Sequence, residues 1–187
     1  MKEDLKKAVE VLRNGGVILY PTDTVWGLGC DATNAGAVKR IYGIKRRADS
    51  KSMLVLTDSI AKVQAYTEDA PDVVFDLLEV ADTPLTIIYP KARNLAENLV
   101  AEDGSIGIRI TNETFSKTLC EMFRKPVVST SANISGESAP RCFAEISDEI
   151  RQAVDYVVKF RQDDRTKSRP SSIIQIGKGG QVKIIRK

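Results

Sequence analysis

The chain has 187 residues, with 28 lysines and arginines against 25 aspartates and glutamates, and it contains no histidine. The lack of histidine excludes a Ser-His-Asp or Cys-His nucleophile system, an imidazole general base and a histidine metal ligand. Its three cysteines, Cys30, Cys120 and Cys142, lie too far apart for a CxxC motif, and they favour a reducing compartment. Any chemistry must therefore come from lysine, arginine, hydroxyl or carboxylate side chains, or from bound ligands.

Length and composition predict one globular domain over residues 1–187, with 42% hydrophobic and 28% charged residues. The longest segment without a charge, 126–136, is shorter than the roughly 18 apolar residues that a membrane-spanning helix needs. The first residues, MKEDLKK, are not followed by the apolar run of a signal peptide. We therefore expect a cytoplasmic protein that has no membrane partner.

Charge is distributed unevenly along the chain. Residues 39–51 hold six basic side chains and one acidic side chain, and 159–169 hold five basic and two acidic ones. Residues 68–82, by contrast, hold six acidic side chains and no basic one. Each run could be a solvated face, or the basic runs could gather anions such as phosphates at one surface.

Hydrophobic periodicity predicts helices that alternate with strands. Predicted helices are, in chain order, 3–13, a segment capped by Asn34, a segment from Asp58, a segment beginning at Pro71, and 113–124. Predicted strands are 17–20, 53–57, 84–89, 105–110, 126–130 and 155–160, followed by a terminal hairpin around GKGG. Residues 161–169 are expected to form a mobile loop. The pattern indicates an α/β fold with a mixed parallel and antiparallel sheet.

Polar segments interrupt this pattern close to the predicted strands, where open α/β sheets bind ligands. The segment 21–29, PTDTVWGLG, offers hydroxyls and a carboxylate at Thr22, Asp23 and Thr24, although composition alone favours a plain turn with a buried Trp26. The segment 44–51, IKRRADSK, places basic side chains where they could grip a polyphosphate or simply end a helix. The chain contains no GxxxxGK[ST] motif, so an ATP site would not be a P-loop.

Two further polar segments lie closer to the C-terminus. The segment 129–136, STSANISG, follows an apolar pair, and this density of small polar side chains favours ligand binding over simple capping. The segment 168–173, SRPSSI, leads into the terminal hairpin and is weak by itself.

Taken in order, these segments resemble the YrdC family of threonylcarbamoyl-AMP synthases. The resemblance rests on PTDTVWGLG, Lys-x-Arg at 45–47 with Lys51 four residues later, SAN at 131–133, and PSSI at 170–173 before a strand ending in Arg186. It covers essentially the whole chain. It implies a single α/β domain whose twisted mixed sheet, with flanking helices, curves around a basic cavity.

The resemblance also implies an activity and partners. Family members make threonylcarbamoyl-AMP and pyrophosphate from ATP, bicarbonate and L-threonine, and the product supplies the machinery that installs t6A in tRNA. We expect Mg²⁺ to be held by the ATP phosphates rather than by the protein. No residue is expected to act as an acid, a base or a nucleophile, because this reaction depends on positioning and charge neutralisation.

Residue roles carry over from the resemblance position by position. The residues expected to bind ATP are Lys45, Arg47, Lys51, Ser105, Ser131, Asn133 and Arg186. The residues expected to bind threonine are Thr24, Arg109, Ser129 and Ser171.

The chain departs from the family pattern at five positions. Where many members read KPLxxH, this chain has Ser52 in the proline position, Met53 in the leucine position and Leu56 in the histidine position. Ser105 replaces a threonine, and Trp26 replaces the commoner tyrosine. Two alternative hypotheses therefore stay open: a module that binds double-stranded RNA or tRNA through the basic runs, and a family paralogue with a different substrate.

Overall fold

A computed structural model describes residues 1–47, 53–68, 70–166 and 169–187. Its α-helices are α1 (Lys2–Arg13), α2 (Ala35–Lys45), α3 (Asp72–Val80), α4 (Thr114–Phe123) and α5 (Asp148–Ala153). Its strands are β1 (Ile18–Tyr20), β2 (Gly27–Gly29), β3 (Leu54–Thr57), β4 (Leu85–Tyr89), β5 (Ile106–Ile110), β6 (Val127–Ser131), β7 (Tyr156–Val157), β8 (Ser172–Ile176) and β9 (Val182–Arg186).

Within these ranges the nine strands form one sheet, in the order β7-β1-β2-β6-β3-β5-β4-β8-β9. Three pairs are parallel, β1 with β7, β3 with β5 and β4 with β8, and the other pairs are antiparallel. The predicted mixed α/β sheet and its closing hairpin are therefore confirmed. No helix in the described part of the chain is long and apolar enough to cross a membrane.

The first two helices form for the reasons that the sequence suggests. Helix α1 buries Leu5, Ala8, Val9 and Leu12, which recur at helical spacing, and this face packs on the sheet and on α4. Helix α2 begins where the side chain of Asn34 accepts a hydrogen bond from the amide of Ala37, so the predicted cap is confirmed.

Four segments differ from the predicted elements. The segment after Asp58 forms a short 3₁₀ helix, Ile60–Ala65, instead of an α-helix. The strand expected over 155–160 is regular only at β7, although Asp155 and Val158 still donate to the carbonyl oxygens of Val17 and Leu19. It ends there because the amide of Lys159 donates to the side chain of Asp4 instead of to β1. Strand β2 and helix α5 were not predicted at all.

Strand β2 escapes prediction because two of its three residues are glycines, which are poor strand formers. Packing explains why glycine is needed at its end. A Cβ atom on Gly29 would lie 2.6 Å from the ring of Tyr20 and 2.9 Å from the carbonyl oxygen of Val128. The strand can therefore fit between β1 and β6 only without that side chain.

Candidate functional site

A cavity of about 310 Å³ opens on one face of the sheet, over strands β2, β6, β3, β5, β8 and β9. The residues that line it are Thr24, Val25, Gly27, Arg47, Met53, Leu54, Arg109, Ser129, Thr130, Ser131, Ala139, Pro170, Ser171, Ile173 and Arg186.

Strand register explains why residues distant in sequence meet on this face. Paired residues on neighbouring strands project to the same side of a sheet, and alternate residues of one strand share a face. Gly27 pairs with Ser131, and Leu54 pairs with Ser129. Ile173 pairs with Arg186 at the other side of the cavity. The cavity wall is thus made of residues that the sheet brings into one layer.

Arg109 is almost completely buried beside the PTDT segment, with 3% of its surface exposed. Its Nη2 lies 3.1 Å from Asp23 Oδ1 and donates to Thr24 Oγ1 at 3.2 Å. Burial raises the pKa of the Asp23 carboxyl, and the positive charge of Arg109 opposes that shift. Among the described residues, Arg109 Nε has no hydrogen-bond partner. This buried guanidinium is therefore incompletely satisfied by the protein and suits an anionic ligand.

Ser171 and Arg186 form the opposite wall. The hydroxyls of Ser171 and Thr86 lie 2.8 Å apart, and Arg186 Nε donates to the carbonyl oxygen of Ser171 at 2.9 Å. Partial burial lowers the pKa of Arg186, and the nearby charge of Arg109 lowers it further. Two like charges that face one cavity favour the binding of an anion between them.

Lys45 and Asn133 lie beneath the cavity rather than in its wall. Lys45 is buried, and its ammonium donates to the carbonyl oxygens of Ser131 at 2.5 Å and Asn133 at 2.7 Å. Asn133 Nδ2 donates to the carbonyl oxygens of Ile134 and Glu137. The two side chains thus hold the loop that follows β6. Burial lowers the pKa of Lys45 to about 8, and the nearby charge of Arg47 adds to this effect.

Ser105 is placed away from the cavity. It precedes β5, four residues before Arg109, which is roughly 13 Å along an extended strand. Its amide donates to Asp103 Oδ1 at 2.9 Å, in the turn that leads into the strand. The sequence match put Ser105 with the nucleotide ligands, whereas the structure places it at the far end of the strand.

The remaining expectations divide as follows. Lys51 lies outside the described residues. Arg47 lines the cavity, and burial lowers its pKa. The expected site residues that the cavity brings together are Thr24, Arg47, Arg109, Ser129, Ser131, Ser171 and Arg186.

Three residues shape the site through contacts that sequence reasoning did not specify. Asp23 was noted in PTDT but was not assigned to Arg109. Thr86, the partner of Ser171, is a hydroxyl within an otherwise apolar strand, and that exception was an available signal. Gly27 keeps the cavity open, since a Cβ atom there would lie 3.3 Å from the Thr130 carbonyl oxygen and 3.4 Å from Ser129 Oγ.

Leu56, at the position where many family members have histidine, does not line the cavity. Leu56 pairs with Arg109 across β3 and β5, but it is fully buried and is absent from the cavity wall. Met53, the other departure on this strand, does line the cavity. The lining residues that the structure describes therefore present arginines and hydroxyls and no carboxylate. Such donors bind phosphates and carboxylates.

Comparison with known proteins gives a match over nearly the whole chain. The sequence profile of the Sua5/YciO/YrdC family, which carries the description "Telomere recombination", matches residues 10–187. The threonylcarbamoyl-AMP synthase of Pseudoalteromonas translucida is 36% identical over 154 residues, which cover 81% of this chain and 82% of that protein. That of Vibrio cholerae is 31% identical over 166 residues, which cover 87% and 88%.

Solved structures show the same fold. Escherichia coli YciO superposes with a TM-score of 0.86 at 24% identity, over 100% of this chain and 90% of that one. The P. abyssi Sua5 complexed with L-threonine has a TM-score of 0.86 at 22% identity. The superposition covers 97% of this chain but 53% of Sua5, so the chain spans about half of the length of that protein. From the profile match and the curated relatives, the chain belongs to the Sua5/YciO/YrdC family.

Proposed function

We propose that this protein is a threonylcarbamoyl-AMP synthase, which converts L-threonine, bicarbonate and ATP to threonylcarbamoyl-AMP and pyrophosphate. One observation carries the proposal: a single cavity joins residues expected at the threonine site with residues expected at the nucleotide site. The names of the curated relatives support it, because those proteins match most of this chain at up to 36% identity.

The threonine end of the cavity is formed around Arg109, with the hydroxyls of Thr24, Ser129 and Ser171. A buried arginine binds the carboxylate of an amino acid by charge and by directed hydrogen bonds. The hydroxyls supply neutral donors and acceptors around it. Together they would hold the amino group of threonine toward the nucleotide end.

The nucleotide end is formed by Arg47, Ser131 and Arg186, with ATP entering as its magnesium complex. The amine of threonine reacts with bicarbonate, releasing water, to give the N-carboxy derivative. A carbamate oxygen then attacks the α-phosphorus of ATP in line, and pyrophosphate leaves. The two arginines would neutralise the charge that develops on the phosphates, which together with positioning lowers the barrier.

The product is a mixed anhydride that can transfer its threonylcarbamoyl group. We therefore place the protein before an enzyme that modifies tRNA with t6A, in the cytoplasm that the sequence predicts. Direct contact with tRNA is not needed for the chemistry in this cavity.

Pyrophosphate release tests the proposal. Purified protein should release pyrophosphate from ATP when L-threonine and bicarbonate are both present, and omission of either should abolish release. Arg109→Ala should lower the rate at subsaturating threonine by about a hundredfold, because the carboxylate loses its charged partner. Lys183→Ala, on the exposed strand β9 and outside the cavity wall, is the control.

Calorimetry distinguishes this activity from that of a paralogue. Binding of ATP with no binding of threonine, beside an active homologue that binds both, would indicate a different second substrate and would contradict the proposal. Leu56 and Met53 are the departures that make this comparison informative.

A further inference from the structure

The carboxylate of Asp23 lies directly behind the cavity wall. Its side chain is 11% exposed, and Oδ1 lies 3.1 Å from Nη2 of Arg109. Thr24, the next residue, lines the cavity, whereas Asp23 borders a neighbouring cleft beside Ile110 and Asn112. The aspartate therefore meets Arg109 on the side away from the main cavity.

The other charges around this carboxylate lie on separate elements. Glu113, at the start of α4, contributes to the raised pKa of Asp23, and Arg109 opposes it. Arg161 Nη1 lies 3.4 Å from Glu113 Oε1 and donates to the carbonyl oxygen of Thr22 at 3.3 Å. The segment that carries Asp23 is thus fixed by Arg161 on its outer side and by Arg109 on its inner side.

The contacts of the Arg109 guanidinium show what Asp23 does for it. Nη2 donates a hydrogen bond to Thr24 Oγ1 and forms an ion pair with Asp23 Oδ1, which accepts no hydrogen bond among the described residues. Of these two groups only Asp23 carries a charge. The hydroxyl of Thr24 also lies 3.1 Å from the hydroxyl of Thr22, so this acceptor is neutral and shared between two groups. An arginine side chain has several rotatable bonds, and the opposite charge of Asp23 favours the orientation that keeps Nη2 beside it.

We propose that Asp23 is a positioning residue for threonine recognition: it holds the guanidinium of Arg109 in the orientation that receives the threonine carboxylate, without touching the substrate itself. This inference rests on the proposed function. A positioning role differs in its consequence from a purely structural ion pair. Loss of a structural ion pair would lower stability without a selective change in the threonine KM.

Removal of the charge has two opposed physical effects. An unheld guanidinium samples several orientations, which raises the KM for threonine. An unneutralised guanidinium attracts a carboxylate more strongly, which lowers the KM. The inference requires that the loss of orientation outweigh the stronger attraction of the carboxylate. A raised threonine KM indicates the first effect, and a lowered threonine KM indicates the second.

Steady-state kinetics of three variants provide the test. Asp23→Asn keeps the shape and removes the charge, and Asp23→Glu keeps the charge with one added methylene. Asp31→Asn is the matched control, because Asp31 is also a buried carboxylate in an ion pair, with Lys125 at 2.7 Å, and it does not line the cavity. Melting temperature is measured for all of them.

We expect Asp23→Asn to raise the threonine KM about tenfold while the ATP KM changes less than about twofold. Asp23→Glu should raise the threonine KM less than Asp23→Asn, and Asp31→Asn should leave both KM values unchanged. An unchanged or lowered threonine KM in Asp23→Asn, or an equal rise in both KM values, overturns the inference. If Asp23→Asn fails to fold, Asp23→Ser, which also removes the charge, replaces it, and an unchanged or lowered threonine KM in that variant overturns the inference.

The wild-type measurement keeps this test separate from that of the proposed function. A wild-type protein with no threonine-dependent turnover overturns the proposed function and the role of Asp23 together. An active wild type with an unaffected Asp23→Asn variant overturns the role of Asp23 alone.

Discussion

The ammonium of Lys45 lies beneath the cavity and binds the carbonyl oxygens of Ser131 and Asn133. The Lys-x-Arg motif suggested that both basic residues reach the ligand. The structure instead divides their roles, because Arg47 lines the cavity while Lys45 fixes the loop that carries Ser131. A motif names the residues of a site, but it does not say which of them touch the ligand.

Stability should depend on pH through Lys45. Its pKa is about 8 in the folded protein, below the ordinary value of 10.5, so between these values the unfolded chain holds a proton that the folded chain has lost. The free energy of unfolding of the wild type, relative to that of Lys45→Met, should rise as pH rises through this window, by at most about 1.4 kcal/mol per pH unit. Urea unfolding of both proteins from neutral to alkaline pH measures the difference, and parallel pH curves would refute the assignment.

Arg186 provides a prediction for the nucleotide end. Arg186→Ala should raise the ATP KM about tenfold, since it removes a charged phosphate donor. The melting temperature should change little, because the residue as a whole is exposed and its side-chain hydrogen bonds within the described residues go only to Ser171. Lys183→Ala, on the same strand and outside the cavity wall, should leave the ATP KM unchanged. Equal effects of the two substitutions would show that Arg186 acts only through general surface charge.

At the scale of elements, the sequence predicts those with a strong pattern and misses those fixed by tertiary contacts. Apolar spacing located α1, α4 and the central strands to within a residue or two. Strand β2 was missed because its glycines are selected by close packing. The irregular register of β8 and β9 was also not predictable: Ile174 pairs with Ile184, yet Ile173 pairs with Arg186. This bulge turns Arg186 toward the cavity, which a regular hairpin would not do.

A substitution at Gly27 tests whether the space that this glycine of β2 leaves in the cavity is needed for activity. Gly27→Ala should lower kcat/KM for both substrates by about tenfold, because the methyl group would project beside Ser129 and Thr130. Gly43→Ala, in α2, meets no atom within 4 Å and should leave activity unchanged. It should also raise the free energy of unfolding by about 0.5–1 kcal/mol, because alanine favours helix. Comparable losses of activity in both variants would contradict the role of Gly27.

At the scale of the whole molecule, ion pairs and burial reduce the number of basic side chains in the two runs that are available to bind a polyanion. Arg40 pairs with Asp155 and Arg46 pairs with Glu149, while Lys45 is buried. Arg161, in the second run, is held by Glu113 and Asp164. A count of charges along the sequence includes these residues as possible phosphate ligands, whereas in the folded protein they already bind carboxylates or carbonyl oxygens.

RNA binding should consequently be weak. A filter-binding titration with duplex RNA at physiological salt should show no saturation below about 10 µM, because four basic side chains of the two runs, Arg40, Lys45, Arg46 and Arg161, already bind protein groups. Tighter binding that weakens steeply as salt rises would support the RNA-binding hypothesis and contradict this expectation.

The site was predictable to the extent that sequence motifs lie at strand ends that meet on one face. The ordered motifs named seven residues of the cavity wall, although they come from separate parts of the chain. Ser105 does not line the cavity although the motif match assigned it to the nucleotide, because a motif match carries no distance and four residues of extended strand separate it from Arg109. The pairing of Asp23 with Arg109 depends on how the loop packs, which sequence spacing does not show.

Direct detection of the product tests the central claim that this cavity makes threonylcarbamoyl-AMP. Purified protein is incubated with ATP, L-threonine and ¹³C-bicarbonate. The products are separated, and their masses are measured by mass spectrometry. We predict a product with the mass of threonylcarbamoyl-AMP that carries one ¹³C atom, present in the wild type and strongly reduced in Arg109→Ala. Release of pyrophosphate without this labelled adenylate would contradict the claim.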